Sequence, residues 1–180
     1  MKNHFYVLAY PADEGLSAVR KLKARLTGLS PKLTGLNAPG HLSVCSFRLQ
    51  AGEEVNLILE LELFVGNTSA FFLQTEGPGY FPDRSTVFLS FSDPTPFNEF
   101  QQALIGNLKN SLPALKRNMS VASMAHLTIA RGVQVDLAPE VIREVNTLFS
   151  PERYLFNRIG LMMEQEGRMR ELKSWMLRQG

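Results

Sequence analysis

Two four-residue segments repeat one pattern of side chains that can do chemistry. His41-Leu42-Ser43-Val44 and His126-Leu127-Thr128-Ile129 each contain a histidine, an apolar residue, a hydroxyl residue and an apolar residue. In a β-strand, residues two apart point to the same face, so each histidine would share a face with its hydroxyl. Imidazole titrates near neutral pH and can act as a base or as an acid. The repeat therefore predicts an acid–base site assembled from two strands.

A structural role is the alternative for such a motif. A half-buried histidine at a strand end, hydrogen-bonded to a neighbouring hydroxyl, gives the same pattern, and for a single copy we favour that interpretation. Composition alone places the pattern after roughly 2% of histidines, yet two of the three histidines have it. The duplication favours a functional pair, His41 and His126. His4 lacks the hydroxyl and is predicted to be a surface residue ahead of the first strand.

Each motif lies in a strand within the same series of elements. Strand, helix, histidine strand and helix follow one another from residues 5 to 65, and the same order recurs from 86 to 149. Between these series, Phe71 to Thr75 is a predicted strand, and the glycines and prolines from Gly77 to Pro82 predict a turn-rich bend. Alternating segments at 154–164 and 169–177 predict a closing hairpin.

This order predicts an α+β fold. We expect two similar lobes, each an antiparallel sheet with flanking helices, on either side of a central cleft. The chain of 180 residues is long enough to bury its own core. We expect one domain over residues 1–180, with approximate repeat halves 1–84 and 85–180 and the closing hairpin at about 154–177.

Composition narrows the classes of function. A formal net charge of +2 is too small for a protein that wraps long nucleic acid, but it suits a small or short phosphorylated ligand. The single cysteine, Cys45, excludes an internal disulfide and a cysteine-based zinc cluster. The sequence has no run of apolar residues long enough to span a membrane and no secretory signal. We expect a cytoplasmic monomer that does not bind membranes.

In context, the motifs resemble those of the two-histidine (2H) phosphoesterases, the family of 2′-5′ RNA ligases and cyclic nucleotide phosphodiesterases. The shared features are the opening strand Phe5–Pro11, the first motif near position 40, and the second motif, which continues as His-Leu-Thr-Ile-Ala-Arg to Arg131. The resemblance covers nearly the whole chain, including the closing hairpin. In one departure, many members place an aromatic residue five positions after the first histidine, where this chain has Ser46.

The resemblance implies a phosphodiesterase that needs neither a metal nor a cofactor. Its substrate would be a 2′,3′-cyclic phosphate, or a related phosphodiester, of an RNA end or a small nucleotide. His41 and His126 would be the catalytic base and acid, in an order that the sequence leaves open. Ser43 and Thr128 would donate hydrogen bonds to the phosphate oxygens.

Other residues are weaker candidates for contacts with the substrate. Arg131 is a candidate phosphate ligand, although strict alternation directs it away from His126 and a structural or solvent-exposed role fits equally well. Lys32, in the loop before the first motif, is a further candidate. The aromatic residues that we considered for stacking on a base are Phe47, Tyr80 and Phe81.

Three alternatives remain open at this point. A catalytically inactive protein that binds nucleotides or RNA in the same cleft would keep the motifs. A 2′-5′ RNA ligase would use the same residues in the reverse direction. A plain α+β scaffold with incidental histidines would bind no anion between the motifs.

Overall fold

The chain alternates strands and helices in an α+β fold, as predicted. The computed structural model describes residues 2–179, which contain four α-helices and eight strands. In chain order these are β1 (Lys2–Pro11), α1 (Asp13–Arg25), β2 (Leu42–Gln50), α2 (Glu54–Val65), β3 (Phe71–Phe81), β4 (Thr86–Phe91), α3 (Thr95–Ser111), β5 (Met119–Val121), β6 (Leu127–Arg131), α4 (Ala138–Asn146), β7 (Arg153–Gln165) and β8 (Arg168–Met176). The short strand β5 was not predicted, and His4 lies inside β1 rather than ahead of it.

All strand pairs of the sheet are antiparallel. The strand order is β5-β2-β1-β7-β3-β4-β6, and β8 also pairs with β7 as the predicted closing hairpin. Strands from the first and second halves of the sequence are interleaved, since β7 lies between β1 and β3 and β5 lies beside β2. The two histidine motifs therefore lie far apart in the strand order, with β1, β7, β3 and β4 between them.

The predicted turn at residues 77–82 is wrong in its first half. Gly77, Pro78 and Gly79 continue β3 and pair with β4, and the register shifts once, between Thr75 and Gly77. Glycine is required at position 79 because a Cβ there would lie 2.5 Å from the ring of Phe88 on the neighbouring strand. Close approach of a side chain, rather than a turn, explains this glycine.

Helices cover one face of the sheet and bury an apolar stripe against it. In α3 the stripe follows helical spacing, with Phe97, Phe100, Leu104 and Leu108 buried. On β1, Phe5, Val7 and Ala9 are fully buried and belong to the same core. The even-numbered residues of β1 consequently point to the other face, which carries the histidine motifs. None of the helices in residues 2–179 is both long and apolar enough to cross a membrane.

Candidate active site

Both histidines stand at the start of an equivalent strand. His41 immediately precedes β2, and His126 immediately precedes β6. In each strand the residue after the hydroxyl is an extra, unpaired residue. Ser43 and Cys45 oppose consecutive residues of β1, so Val44 forms a β-bulge, and Ile129 does the same between Thr128 and Ala130. The two motifs thus share a bulge as well as a sequence pattern.

The bulge corrects the expectation from strict alternation. One extra residue returns later side chains to the face that alternation would deny them. Five residues after each histidine, Ser46 and Arg131 therefore lie on the same face as the motif hydroxyls. Both line the cleft, together with Ser43 and Thr128. Arg131 therefore lines the cleft, although strict alternation directed it away from His126.

Each imidazole contacts the backbone carbonyl of the residue two positions earlier through its Nδ1 atom. His41 Nδ1 lies 2.9 Å from the carbonyl oxygen of Pro39, and His126 Nδ1 lies 3.1 Å from that of Met124. A carbonyl only accepts hydrogen bonds, so each Nδ1 must carry the proton and donate it. In the neutral ring the other nitrogen, Nε2, is then left as the free acceptor. This arrangement fixes the tautomer that a general base needs.

A cleft of about 420 Å³ lies beside the second motif and reaches across to the first. His126, Thr128 and Arg131 line one side, and Ser43 and Ser46 line the other. His41 does not itself line this cavity, but it lies two residues before Ser43, and its ring centre is 6.0 Å from that of Tyr10. Of the sequence-predicted site residues, four thus share one cavity and the fifth adjoins it.

Burial and nearby positive charge both oppose protonation of His41. The pKa of His41 is lowered to about 4, chiefly by burial, and the positive charges of Lys23, Arg131 and His126 contribute to this shift. The hydrogen bond to Pro39 works in the opposite direction and is the weaker influence. His41 is therefore a neutral imidazole at pH 7.

His126 lies in an aromatic corner. Its ring contacts Phe81 and Phe88 edge to face, with ring centres 5.2 and 5.6 Å away, and these two phenylalanines stack on each other at 4.0 Å. Burial lowers the pKa of His126, and the charges of Arg84 and Arg131 add to this effect. Edge-to-face packing restricts the ring, so the aromatic pair positions His126 as well as desolvating it.

The loop before His41 is tied to a buried lysine and to the second motif. Lys23 is only 3% exposed, and its Nζ donates to the carbonyl oxygens of Gly35 and Ala38 at 2.9 and 2.8 Å. Burial lowers the pKa of Lys23 to about 8. Thr34 of the loop exchanges both backbone hydrogen bonds with Arg131 on β6. The loop thus connects one histidine strand to the other.

Gly132 allows this connection. Its φ is +72°, and a Cβ at this position would overlap the carbonyl oxygen of Lys32. The turn after β6 and the loop before β2 can therefore touch only if residue 132 has no side chain.

The weaker candidates do not all reach the cleft. Phe81 lines it, so a base could stack there. Phe47 does not, because it is 1% exposed in the core, and the hydroxyl of Tyr80 donates to the carbonyl oxygen of Val133 away from the cleft. Lys32 does not line it either; its Nζ contacts Gln134 at 3.1 Å. The expectations for Phe47, Tyr80 and Lys32 are therefore not supported.

Sequence reasoning missed three contributors to the site. Arg84 lines the cleft and lies over the ring of Phe81, and only its place after the Phe81-Pro82 segment hinted at this. Lys23 looked like one of several basic residues on an amphipathic helix, although its position on the buried face was a usable signal. Tyr6 lines the cleft from β1, whose alternation predicted its direction but not its neighbours.

The cleft offers nitrogen and hydroxyl groups rather than a set of metal ligands. Within residues 2–179, no group of three or more histidine, cysteine, aspartate or glutamate side chains is arranged to hold a metal ion. The two arginines, two motif hydroxyls and one imidazole that line the cleft, with His41 beside it, instead form an environment for an anion with several oxygens.

Comparison with solved structures shows where this fold recurs. LigT of E. coli, crystallised with 3′-AMP, matches with a TM-score of 0.67 and 16% identity over 99% of this chain and 100% of LigT. TT0787 of Thermus thermophilus matches with a TM-score of 0.68 and 14% identity over 98% of each chain. A crystal structure described as a phosphoesterase matches with a TM-score of 0.65 and 16% identity over 99% of this chain and 100% of its own.

We found no significant match among curated protein sequences. The family model of the 2′-5′ RNA ligase superfamily, by contrast, matches residues 10–168. This match spans most of the chain and includes both histidine motifs, both bulges and the loop that joins them. The chain therefore belongs to the 2′-5′ RNA ligase superfamily, the 2H phosphoesterases that the motifs resemble.

Proposed function

We propose that this protein is a phosphodiesterase that hydrolyses a 2′,3′-cyclic phosphate, or a related phosphodiester, of an RNA end or nucleotide without a metal. The observation that carries this proposal is the pair of equivalent motifs at one cleft, each with Nδ1 of its histidine held by a carbonyl. A binding protein would have no need for two imidazoles held in the same tautomer. LigT, with the same fold, has been crystallised with 3′-AMP, which supports a nucleotide ligand.

The phosphate would lie between the two motifs. Ser43 and Thr128 would donate hydrogen bonds to its non-bridging oxygens, where negative charge grows during attack. Arg131 would pair with the same oxygens, because a guanidinium offers several donors in one plane. Arg84, which lies over the ring of Phe81 beside the second motif, would neutralise charge at longer range. Together these groups make the reacting phosphorus more electrophilic and stabilise the transition state.

The unequal surroundings of the histidines suggest their roles. We assign His41 as the base, because its pKa of about 4 keeps it neutral when a substrate arrives. It would take a proton from water while the water oxygen bonds to phosphorus. The bond from phosphorus to one ribose oxygen would then break, and His126 would give that oxygen a proton. Bound phosphate favours the protonated form of His126, because an adjacent anion stabilises imidazolium.

A turnover assay with a nucleoside 2′,3′-cyclic phosphate tests this function. The wild-type protein should open the ring, and His41→Ala and His126→Ala should each lose most of the rate while staying folded by circular dichroism. EDTA should leave the rate unchanged; a large loss would show that a metal takes part. Binding without turnover would instead identify the inactive binding protein. Joining of RNA ends through a 2′-5′ bond would identify the ligase direction.

The cellular setting belongs to the same proposal. We propose a cytoplasmic monomer. The single cysteine has no second cysteine to pair with in the chain, which supports the reducing compartment. Size-exclusion chromatography with light scattering tests the monomer, and a dimer at micromolar concentration would overturn it.

A further inference from the structure

A second group of positive charges continues the face that carries the first histidine motif. On the paired strands β1 and β2, Tyr6 lies opposite Ser46, and His4 lies opposite Arg48. Directly opposed residues of an antiparallel pair project from the same face. Because Tyr6 and Ser46 line the catalytic cleft, His4 and Arg48 extend that face beyond it. Lys2, two residues before His4, extends it once more.

The extension is a cavity in its own right. It has a volume of about 450 Å³ and adjoins the catalytic cleft, with which it shares Ser46 and Ser120. Its polar lining consists of those two serines together with Lys2, His4, Arg48 and Asn118. The catalytic cleft and this cavity therefore form one groove, which we call the β1–β2 groove, with hydroxyls in the middle and cations at both ends.

The cations of the extension are not neutralised by the protein. Within residues 2–179, Arg48 makes no side-chain hydrogen bond or ion pair, and neither does the side chain of Lys2. The nearby carboxylate of Glu164 accepts from the hydroxyl of Tyr6 at 3.0 Å and lies 3.4 Å from Nδ1 of His4. Glu164 is thus engaged with two other side chains, which leaves the five donors of Arg48 free for a ligand.

The length of β2 between Ser43 and Arg48 separates the charge of Arg48 from the phosphate at the histidine motifs. From Ser43 to Arg48 there are five residues, of which Val44 is the bulged one, so the strand covers roughly 13 Å at about 3.3 Å per residue. A nucleoside 2′,3′-cyclic phosphate carries one phosphate, and the catalytic pair would hold it. A polynucleotide, by contrast, carries upstream phosphates, one of which could reach Arg48 at the same time.

We propose that Arg48, supported by Lys2, forms a second anion subsite that binds an upstream phosphate of an RNA strand, so that the substrate is an oligonucleotide end rather than a mononucleotide. This proposal rests on the proposed function for its chemistry. Tyr6 lies between the two subsites with its ring partly exposed, where a base could stack on it. A cationic groove with an aromatic side chain between its charges is how proteins bind single-stranded nucleic acid.

The test compares two substrates that share the reacting cyclic phosphate and differ in the presence of upstream nucleotides. We would measure kcat/KM for uridine 2′,3′-cyclic phosphate and for a uridine trinucleotide ending in the same cyclic phosphate. Wild-type protein should prefer the trinucleotide about tenfold or more, since a hydrogen bond to a charged group is worth at least a factor of about ten. In Arg48→Ala the ratio of the two kcat/KM values should fall about tenfold. In Lys2→Ala the ratio should fall less.

The control is Arg20→Ala, which removes the same charge from the exposed surface of α1, outside the groove. It should leave the substrate ratio unchanged. Equal kcat/KM for both substrates in the wild type, or the same fall in Arg20→Ala as in Arg48→Ala, would overturn the subsite. Raising the salt concentration should lower trinucleotide kcat/KM more steeply in the wild type than in Arg48→Ala, because one fewer phosphate is neutralised.

A binding measurement separates failure of the subsite from failure of the proposed function. If neither cyclic substrate is turned over, the hydrolase proposal fails, but the subsite is still decided by calorimetry. Wild-type protein should bind a uridine trinucleotide 3′-phosphate more tightly than 3′-UMP, and Arg48→Ala should lose that difference. Equal affinity of the wild type for both ligands would refute the subsite.

Discussion

The two histidine motifs match in local geometry but differ in what surrounds them. In each, the histidine immediately precedes the strand, and its Nδ1–H donates to the carbonyl of the residue two positions earlier. The hydroxyl residue follows two positions after the histidine, and the bulged residue comes directly after the hydroxyl residue. In the first motif, hydrogen bonds position the histidine, because the buried ammonium of Lys23 donates to two carbonyls of the loop that leads to His41. In the second motif, aromatic packing positions the histidine, because the ring of His126 packs against Phe81 and Phe88.

This difference shows how one motif can serve two roles. The sequence pattern sets tautomer and direction in both copies, since these depend on neighbours within two residues. The environment sets the pKa, and it comes from elements distant in sequence. Burial and three positive charges lower the pKa of His41, whereas burial and two arginines lower the pKa of His126. Equivalent motifs therefore need not be interchangeable as acid and base.

The largest expected effect comes from removing the histidine of either motif. His41→Ala and His126→Ala should each lower kcat by about 10²–10⁴-fold, the usual contribution of one general acid or base. A substrate whose leaving group needs no proton should restore much of the rate to His126→Ala but little to His41→Ala. The opposite pattern of recovery would reverse our assignment. Unchanged turnover in either variant would show that the pair is not the catalytic unit.

The hydroxyls should matter less, and unequally. We expect Thr128→Ala to lower kcat by about 10²-fold and Ser43→Ala by less, because loss of one oxyanion donor costs about 10²–10³-fold. Thr128 is half-buried, whereas Ser43 is exposed, so water can replace the hydrogen bond of Ser43 more easily. Thr128→Ser and Ser43→Thr are the matched controls that keep each hydroxyl. A larger loss for Ser43→Ala would contradict the expected inequality.

The pH profile should show both pKa values displaced to the acid side. As pH falls through about 4, His41 becomes protonated and can no longer act as the base, so kcat/KM falls. As pH rises through the pKa of His126, which burial holds below that of a free imidazole, the acid is lost and kcat/KM falls again. Beyond each limb the rate changes about tenfold per pH unit, and the two limbs report the pair together.

The profile of kcat itself should extend further to the alkaline side, because bound phosphate stabilises protonated His126. Rate measurements from about pH 3.5 to about pH 9, a range that spans the free imidazole pKa, in buffers of constant ionic strength test both statements. A flat kcat/KM profile over that range would rule out two-histidine acid–base catalysis.

The smallest effect should come from Lys23 and should appear only at the first motif. In Lys23→Met the pKa of His41 should rise, because one of the charges that lowers it is gone, so the acid limb of kcat/KM should move to higher pH. The free energy of unfolding should also fall by about 1–3 kcal/mol as the carbonyls of Gly35 and Ala38 lose their donor. NMR titration of the two imidazoles provides the measurement.

Lys21→Met is the matched control, since Lys21 is exposed on the same helix. It should leave the acid limb and the unfolding free energy nearly unchanged. If the acid limb of kcat/KM does not move in Lys23→Met, Lys23 does not lower the pKa of His41. If the pKa of His126 shifts as much as that of His41, the effect of Lys23 is not specific to the first motif.

Much of the fold was predictable because helices and strands differ in apolar period. The stripe of α3 and the apolar, β-branched run of β4 are visible in the local sequence. Residues 77–79 were not predictable, because glycine and proline signal a turn unless a neighbouring strand needs the space. That need came from Phe88, whose ring occupies the position of a Cβ on Gly79. β5 is three residues long and has too little pattern to identify.

The sequence by itself determined which groups are available for chemistry and how each motif is built. Residue type and the two-residue period of a strand place His41 with Ser43 and His126 with Thr128, whatever the rest of the chain does. Tertiary structure decided the rest. Bulges in β2 and β6 returned Ser46 and Arg131 to the cleft, because register depends on the partner strand. Burial by distant elements set the pKa of each histidine, because desolvation is a property of the packed site and not of the residue.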